Sequence, residues 1–477
     1  MNFTYHKGIS VLNTLLPAIA ICITGCVARE NKNPNILLIV ADDLGWNDVG
    51  YHGSEIKTPN IDKLANEGIQ LNRFYVHSVS TPTRATLLTG RYPDRYGIST
   101  HFITIEQSVG IPEQELTIAE MLGKTGYKRR GLIGKWHLGH SHEKYHPLNQ
   151  GFTYFYGHYM GGLDYFTHKK LYIFEDSSTQ EKKHVLELDW HEGFEPCYDE
   201  GYTTDLIRDK AINFLKESNE KDPFFLYVAF NAPHTPLQAK EADLLEYGFD
   251  PGQKLIEPHE GYGYQGRGNT DRQTFSAMVT AMDKAIGDIL EELENNKKLR
   301  NTLVIFFSDN GATVGGSNYP LKGGKFGVYE GGIRVPCIVR WPGIIPPGSI
   351  TNSVTGAVDI LPTLQYIVGA EDEPPFPLDG INILNILKGG DDDPDRAIFI
   401  AQYVSRVAIT RSWKLHDDTL LFKIDTDPHE SENVADLYPE IFNDLNNRLN
   451  SSGVKSVEYK REQLNFKLHP EHKIPRE

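Results

Sequence analysis

Four apolar runs, each stopping abruptly at a polar cluster, constrain this chain more than any other feature. Asn35-Ile-Leu-Leu-Ile-Val40 ends at Ala41-Asp42-Asp43, and Arg130-Gly-Leu-Ile-Gly134 runs into Lys135-Trp136-His137. Phe224-Phe-Leu-Tyr-Val-Ala-Phe230 meets Asn231-Ala-Pro-His234, and Thr302-Leu-Val-Ile-Phe-Phe307 meets Ser308-Asp309-Asn310-Gly311. None alternates polar and apolar residues as a half-exposed strand would. Each reads as a strand buried on both faces. Helical patterns lie between them, at 58–64, 116–125, 205–217 and 273–295. Strands alternating with helices predict an α/β fold with a large, mostly parallel sheet flanked by helices. Ligands of such sheets gather beyond the carboxyl ends of the strands, so all four polar clusters are expected on one rim.

Past residue 390 the texture changes. Gly389-Gly-Asp-Asp-Asp-Pro-Asp395 is a polar loop, and short strand-like runs follow at 397–403, 405–410, 413–416 and 420–424. A helical pattern occupies 439–449. The expected division is a main domain over 34–390 and a small α+β subdomain with an antiparallel sheet over 391–477. The polar stretch 454–477 is expected to wrap the surface or stay loose.

The N-terminus reads as an export signal over 1–26. Lys7 precedes a mostly apolar stretch, 11–26, that Asn13, Thr14 and Pro17 interrupt and that is short for a membrane span. Ile23-Thr24-Gly25-Cys26 resembles a bacterial lipobox, in which the Cys is acylated and becomes the new N-terminus. Residues 27–33 would then be a linker. The expected location is exported and membrane-anchored through that lipid alone, in the periplasm or at the cell surface; an ordinary cleaved signal with an incidental Cys is the alternative. Cys197 and Cys337 remain, which allows one disulfide but requires none.

The formal net charge of −16 argues against a general nucleic-acid binder. It leaves room for an anionic substrate, because a local group of cations can reverse the field inside a cleft.

Two clusters invite a metal. Asp42-Asp43 and Asp309-Asn310 bring three carboxylates and an amide to two strand ends. Crowded carboxylates are costly unless a cation neutralises them, and all-oxygen ligation favours a hard ion. A helix or turn cap is the competing reading of Asp-Asp. Ser80-Thr-Pro-Thr-Arg84-Ala-Thr-Leu-Leu-Thr-Gly-Arg91 predicts a helix start, with Ser80 or Thr81 as N-cap, Pro82 as first helical residue and Gly90 as the stop. Such a start is a favourable place for an anion.

The 80–91 segment resembles the signature of the formylglycine-dependent (type I) sulfatases, Cys or Ser followed by X-Pro-X-Arg and ending in Thr-Gly-Arg. Gly134-Lys-Trp-His-Leu-Gly139, Asn231-Ala-Pro-His234, Ser308-Asp-Asn-Gly311 and Lys325-Phe-Gly-Val-Tyr-Glu-Gly-Gly-Ile-Arg334 follow in that family's order. Gly161-Gly-Leu-Asp164-Tyr-Phe-Thr-His168 resembles the arylsulfatase B-like branch, which acts on sulfated sugars. The resemblance implies an alkaline-phosphatase-like fold and hydrolysis of sulfate esters on carbohydrate, in the manner of a bacterial polysaccharide sulfatase.

The resemblance also implies roles. Asp42, Asp43, Asp309 and Asn310, with Ser80 beside them, would hold Ca²⁺, with Mg²⁺ as the alternative. A maturing enzyme would oxidise Ser80 to formylglycine, whose hydrate is the nucleophile. Arg84 would hold that diol, Lys135 and Lys325 would contact sulfate oxygens, His137 would serve the diol, and His234 would face the leaving oxygen. Asp164, His168 and Lys322 are candidate substrate contacts. Position 80 is Ser where many members have Cys, which marks a Ser-type site or a Cys replacement. A phosphatase or phosphodiesterase of the same superfamily, and a non-catalytic sulfated-glycan binder, are the rival readings.

Overall fold

The computed structural model describes Met1, Thr4 and residues 33–98, 103, 108–175, 182–218 and 222–455. Cys26 and the rest of the leader, linker residues 27–32 and the tail 456–477 lie outside these. Among the described residues no helix is long and apolar enough to cross a membrane.

The four anticipated strands form adjacent members of one large sheet. Asn35–Ala41 is its centre, flanked in parallel by Thr302–Ser308 on one side and Phe224–Ala229 on the other. Arg129–Lys135 and Tyr154–His158 extend the parallel run beyond Phe224–Ala229. Shorter strands complete a ten-stranded sheet, and the pairings of Cys337–Arg340 with both its neighbours are antiparallel. The large mixed sheet is therefore mostly parallel where the long strands lie.

Continuous apolarity in Asn35–Ala41 is explained by its two faces. Ile36, Leu38 and Val40 point into one core layer with Leu87, Leu88, Leu122 and Leu361. Leu37, Ile39 and Ala41 point into the other with Ile61, Ile207, Met282 and Ile286. All six strand residues are fully buried, each Ile or Leu contributing roughly 1.5–3 kcal/mol of transfer free energy. The helices Ser80–Thr89, Ile118–Lys124 and Ile360–Val368 cover the first face. Pro59–Glu67, Thr203–Lys216 and Asp271–Asn295 cover the second. Polar ends have nowhere to go in such a sandwich, so the strands stop where they reach the rim.

The close packing of strands has a backbone requirement at Gly134. Its φ is +110°, and a Cβ there would sit 1.9 Å from the carbonyl oxygen of Ala229 on the neighbouring strand. Only glycine fits between these strands, directly before Lys135.

A four-stranded antiparallel sheet, Ile398–Gln402, Ser405–Ile409, Lys414–His416 and Leu420–Phe422, follows the main body. One face carries the helix Pro439–Ser451 through Leu445 and Leu449 packed with Ala408, Leu415 and Leu421. The other face puts Ile400, Val407, Ile409 and Phe422 against Tyr75, Val328 and Ile333 of the main body. Cys197 and Cys337 are both free thiols, so no bridge joins them.

The two parts are also tied by a buried ion triad. Lys414 Nζ lies 3.0 Å from Glu330 Oε1 and 2.8 Å from Glu430 Oε1, with all three side chains inaccessible to solvent. Tyr75 donates to Glu330 Oε2 at 3.0 Å, and the Glu330 backbone N–H donates to Glu430 Oε2 at 2.6 Å. Burial opposes ionisation of Lys414, yet the two carboxylates hold its pKa above the usual lysine value. Removing the lysine would leave two carboxylates buried without a cation. Lys414→Met is therefore expected to lower the unfolding free energy by about 3–5 kcal/mol in a urea titration. A loss under about 1 kcal/mol, the range of exposed pairs, would show that the triad is not a structural link.

Candidate active site

The polar strand ends converge as the sheet topology requires. Asp42 and Asp43 leave the central strand, Asp309 and Asn310 its neighbour, and Lys135 the end of Arg129–Lys135. Backbone bonds fix the rim: Asp42 N–H to Ala232 O at 3.1 Å and Asp309 N–H to Ala41 O at 3.0 Å. Ser308 Oγ accepts from Leu44 N–H at 2.9 Å and donates to Asn310 O at 2.8 Å, bracing both acidic ends together.

Ser80 is the first residue of the helix Ser80–Thr89, and Val79 holds the N-cap position without a side-chain cap bond. The expected capping by Ser80 or Thr81 is therefore corrected. The physical reason is competition for the hydroxyls. Ser80 Oγ lies 3.2 Å from Asp42 Oδ1, 3.5 Å from Asn310 Oδ1 and 3.1 Å from Lys135 Nζ. Thr81 Oγ1 donates to His137 O at 3.1 Å. Gly90 ends the helix in the left-handed region, φ 66°, as anticipated.

Charge dominates the site. Asp42, Asp43 and Asp309 face Lys135, Lys325 and Arg84. Lys135 Nζ is 2.6 Å from Asp42 Oδ2, and Lys325 Nζ is 2.6 Å from Asp43 Oδ1. Arg84 reaches Asp309 Oδ2 through Nε at 3.1 Å and Nη2 at 2.8 Å, and its Nη1 donates to Tyr227 OH at 3.1 Å. Asn310 Nδ2 donates to Asp43 Oδ1 at 2.6 Å.

Burial is the largest influence on Asp43, Lys135, Lys325 and Asp309, and the partners decide its outcome. Burial would raise Asp43, but Lys325 and His234 overrule it and hold the carboxyl near 2. Burial pushes Lys135 down to about 8 against the pull of Asp42. Lys325 goes up despite burial, because Asp43, Asp42 and Asp309 all face it. Burial and then Asp42 raise Asp309, with Arg84 opposing.

Both histidines are neutral in this arrangement. Burial and then Lys325 bring His234 down to about 3, and burial and then Lys135 lower His137 well below its ordinary value. His234 Nδ1 meets Thr235 O at 2.5 Å, so Nδ1 carries the proton and Nε2 presents a lone pair. That lone pair lies 3.7 Å from Asp43 Oδ2. Two acceptors face one point there, and a cation or a proton between them resolves the repulsion. Asp42, Asp43 and His234 indeed have ligand atoms within 4.8 Å of one another. Asn310 Oδ1 and Asp42 Oδ1 add oxygens converging on Ser80. The donor set therefore fits a hard dication.

Strained backbone collects here. Asp43, His137 and Phe326 have φ of 66°, 56° and 73°, a region non-glycine residues seldom adopt. His137 is 5% exposed and its Nδ1 has no hydrogen-bond partner among the described residues.

The substrate candidates are held by scaffold contacts. Asp164 Oδ1 accepts from the N–H groups of Phe166 and Thr167 at 3.0 and 2.8 Å, and Oδ2 from Gln238 at 2.8 Å. His168 Nε2 meets Gly201 O at 3.0 Å and its ring stacks on Trp190. The loop they brace, between Tyr154–His158 and Lys169–Glu175, presses on His234: a Cβ on Gly162 would lie 2.7 Å from His234 Nδ1. Lys322 donates to Glu430 O at 3.2 Å and sits 4.1 Å from the Tyr329 ring centroid.

Some participants were not foreseen. Tyr227 looked like core in an apolar run, and nothing in its sequence context marks the bond to Arg84. Asn231 is 1% exposed with neither side-chain atom hydrogen-bonded among the described residues. Its place beside Pro233 and His234 was the available signal. Phe326, 48% exposed beside Lys325, gave none.

A helix start, an acidic rim and three cations on a doubly covered sheet define a hydrolase-type site for an anionic ester. Residues 34–370 match the sulfatase family, and the chain belongs to it. Sulfatases hydrolyse sulfuric esters, and the fold is the alkaline-phosphatase-like one that the sequence resemblance implied. Arylsulfatase J of Mus musculus is 34% identical over 364 residues, covering 75% of this chain but 56% of its own length. The N-acetylgalactosamine-6-sulfatase of Canis lupus familiaris is 32% identical over 404 residues, covering 80% and 71%. The crystal structure of Ps i-CgsB in complex with k-i-k-neocarrahexaose superposes with a TM-score of 0.78 at 33% identity, covering 91% of this chain and 96% of that one.

Losing the guanidinium would strand Asp309 in a buried site. Arg84→Met is expected to cost about 3–5 kcal/mol of folding stability by thermal or chemical melting. Tyr227→Phe, which removes one hydrogen bond, is expected to cost about 1 kcal/mol. Equal losses in the two variants would show that the charge pair is not what matters.

Proposed function

We propose that this chain hydrolyses sulfate esters on carbohydrate through Ser80, acting on oligosaccharide fragments of a sulfated polysaccharide. The observation that carries this reading is the setting of Ser80 Oγ, between Lys135 Nζ at 3.1 Å and Asp42 Oδ1 at 3.2 Å. The hydroxyl stands at a helix start, within a cluster of three carboxylates and three cations. A saccharide substrate is supported by the likeness to a protein solved with k-i-k-neocarrahexaose. The pattern around Cys26 supports an exported, lipid-anchored location.

Asp42, Asp43, Asp309 and Asn310 would hold the dication, read as Ca²⁺ by resemblance, which supplies charge neutralisation and Lewis-acid polarisation of sulfate oxygens. The aldehyde made from Ser80 supplies, as its hydrate, two hydroxyls on one carbon. The remaining chemistry is carried by the chain's own side chains. Lys135 orients the oxygen of residue 80 and offsets charge on the sulfate. Lys325, held by Asp43, presents a second fixed cation. Both ammoniums sit in a water-poor site, where fixed charge lowers a barrier most. Arg84 keeps Asp309 in place through its two-point contact.

His234 is proposed to face the leaving oxygen, with Nδ1 tied to Thr235 O so that Nε2 points to the reacting group. An incoming sulfate brings the negative charge that favours the protonated imidazole. His137 is proposed to take a proton from residue 80 or return it. A two-metal phosphatase would need a second set of ligands. Among the described residues one group of His, Cys, Asp or Glu has metal-holding spacing, Asp42, Asp43 and His234, and it shares its two carboxylates with the dication set above.

Peptide mass spectrometry across Ser80, on protein from a host with the maturing enzyme, is expected to show loss of two hydrogens, together with sulfate release from sulfated oligosaccharides. Unmodified Ser80 with no sulfate released would overturn the reading. In matured protein, Lys325→Ala is expected to lower kcat about 10²–10³-fold. Chelation is expected to abolish turnover and Ca²⁺ to restore it, while full activity in excess chelator would exclude the metal role.

A further inference from the structure

A cleft outside the Ser80 cluster has the make-up of an anion site. Its volume is about 450 Å³, and its lining includes Arg73, Arg334, Asn352, Arg411, Ser412 and Asp425. None of these belongs to the site described above. Arg73 directly precedes the strand Phe74–Tyr75, and Arg334 directly follows the short helix Glu330–Ile333. Arg411 and Ser412 lie in the turn between Ser405–Ile409 and Lys414–His416. The cleft thus opens where the main body meets the C-terminal sheet.

Three guanidiniums on one cleft repel each other, and their existing partners do not account for all three. Arg73 is 7% exposed, and its buried Nη1 has no hydrogen-bond partner among the described residues. A buried charged donor left unpaired is costly, and Arg73 therefore adds an uncompensated positive charge behind the cleft wall. Arg334 is held rigidly, with Nε donating to Asn72 O at 2.6 Å and its guanidinium 4.5 Å over the Trp46 ring. Its carboxylate neighbour Glu330, 3.5 Å away, is shared with Lys414 at 3.0 Å. Arg411 stands at the mouth, 54% exposed and 3.4 Å from Asp392. Asp425, the carboxylate in the lining, is exposed to solvent. Asn352 accepts from Asn72 on Oδ1 at 3.2 Å, which leaves its Nδ2 to donate.

We infer that this cleft binds a tetrahedral oxyanion through Arg73, Arg334 and Arg411. Planar guanidinium forks match the oxygens of such a group, which a single ammonium does not. Preformed Arg334, buried Arg73 and exposed Arg411 give a floor, a wall and a mouth. Two sources carry this chemistry: a free inorganic anion, and a sulfate ester on a remote unit of a longer glycan. The second source rests on the proposed function; the first does not.

The test uses the full folded protein with Arg411→Gln and Arg73→Met. Arg411 is exposed, so its variant keeps the test valid if the Arg73 variant fails to fold. Sodium sulfate is titrated calorimetrically into each protein, and KM is measured for a sulfated hexasaccharide and a monosulfated disaccharide. Loss of one guanidinium contact is expected to weaken binding roughly tenfold or more. Weaker sulfate binding in the variants supports a free-anion site, and reads out even if no glycan is turned over. A raised KM for the hexasaccharide, with the disaccharide unchanged, supports the glycan source. Sulfate affinity and both KM values unchanged in Arg411→Gln would overturn the inference.

Discussion

The organising constraint of this protein is a buried balance of charge. Asp42, Asp43 and Asp309 cannot share a dry rim without cations, and Arg84, Lys135 and Lys325 cannot be buried there without carboxylates. Each partner comes from a different element. The acids end two adjacent strands, Arg84 lies one turn into a helix, Lys135 ends a third strand and Lys325 lies on a loop. The cluster can exist only if the sheet order, the helix start and the loop are all in place. A dication would add two positive charges and a sulfate two negative ones, so the neutral balance of the resting cluster is the one that a bound product also meets.

That dependence runs into the smaller sheet. Lys325 precedes Glu330 on one short segment, and Glu330 is held by Lys414 and by the Glu430 contact with its backbone N–H. Lys322, on the same segment, donates to Glu430 O. The C-terminal sheet therefore does more than add bulk. It grips the segment that presents Lys325, from both ends of a span of nine residues, 322–330. A loop carrying a fixed cation needs such support, because a loose ammonium contributes little electrostatic preorganisation.

What was legible in the sequence follows from the same physics. Strands buried on both faces have no polar positions to hide among, so Asn35–Ala41 and Thr302–Ser308 announce themselves and their polar ends stand out. Asp42, Asp43, Asp309 and Lys135 were readable because they stand where a buried apolar strand stops, although a helix or turn cap competes for Asp42-Asp43; Arg84 and Lys325 came from the family resemblance. Tyr227 was not readable, since an aromatic ring in an apolar strand looks the same whether or not its hydroxyl has a partner. The strands Ile69–Leu71 and Ser349–Thr351 were also missed, being three residues each, too short for a period to show. Helix capping at Ser80 was misread for an instructive reason. Local propensity assigned the hydroxyl to the backbone, and the tertiary cluster took it instead.

The same competition explains why Asp164 and His168 are hard to interpret from a motif. Both are polar, and both follow Gly161-Gly162 in one loop next to the site. Yet Asp164 spends its two oxygens on two backbone N–H groups and Gln238, and His168 spends its Nε2 on Gly201. A residue so engaged acts through the backbone it holds, here the loop at Gly162 that abuts His234. The distinction is one of residual capacity. His137 and Asn231, by contrast, retain side-chain polar atoms with no hydrogen-bond partner among the described residues, so their bonding capacity is unspent.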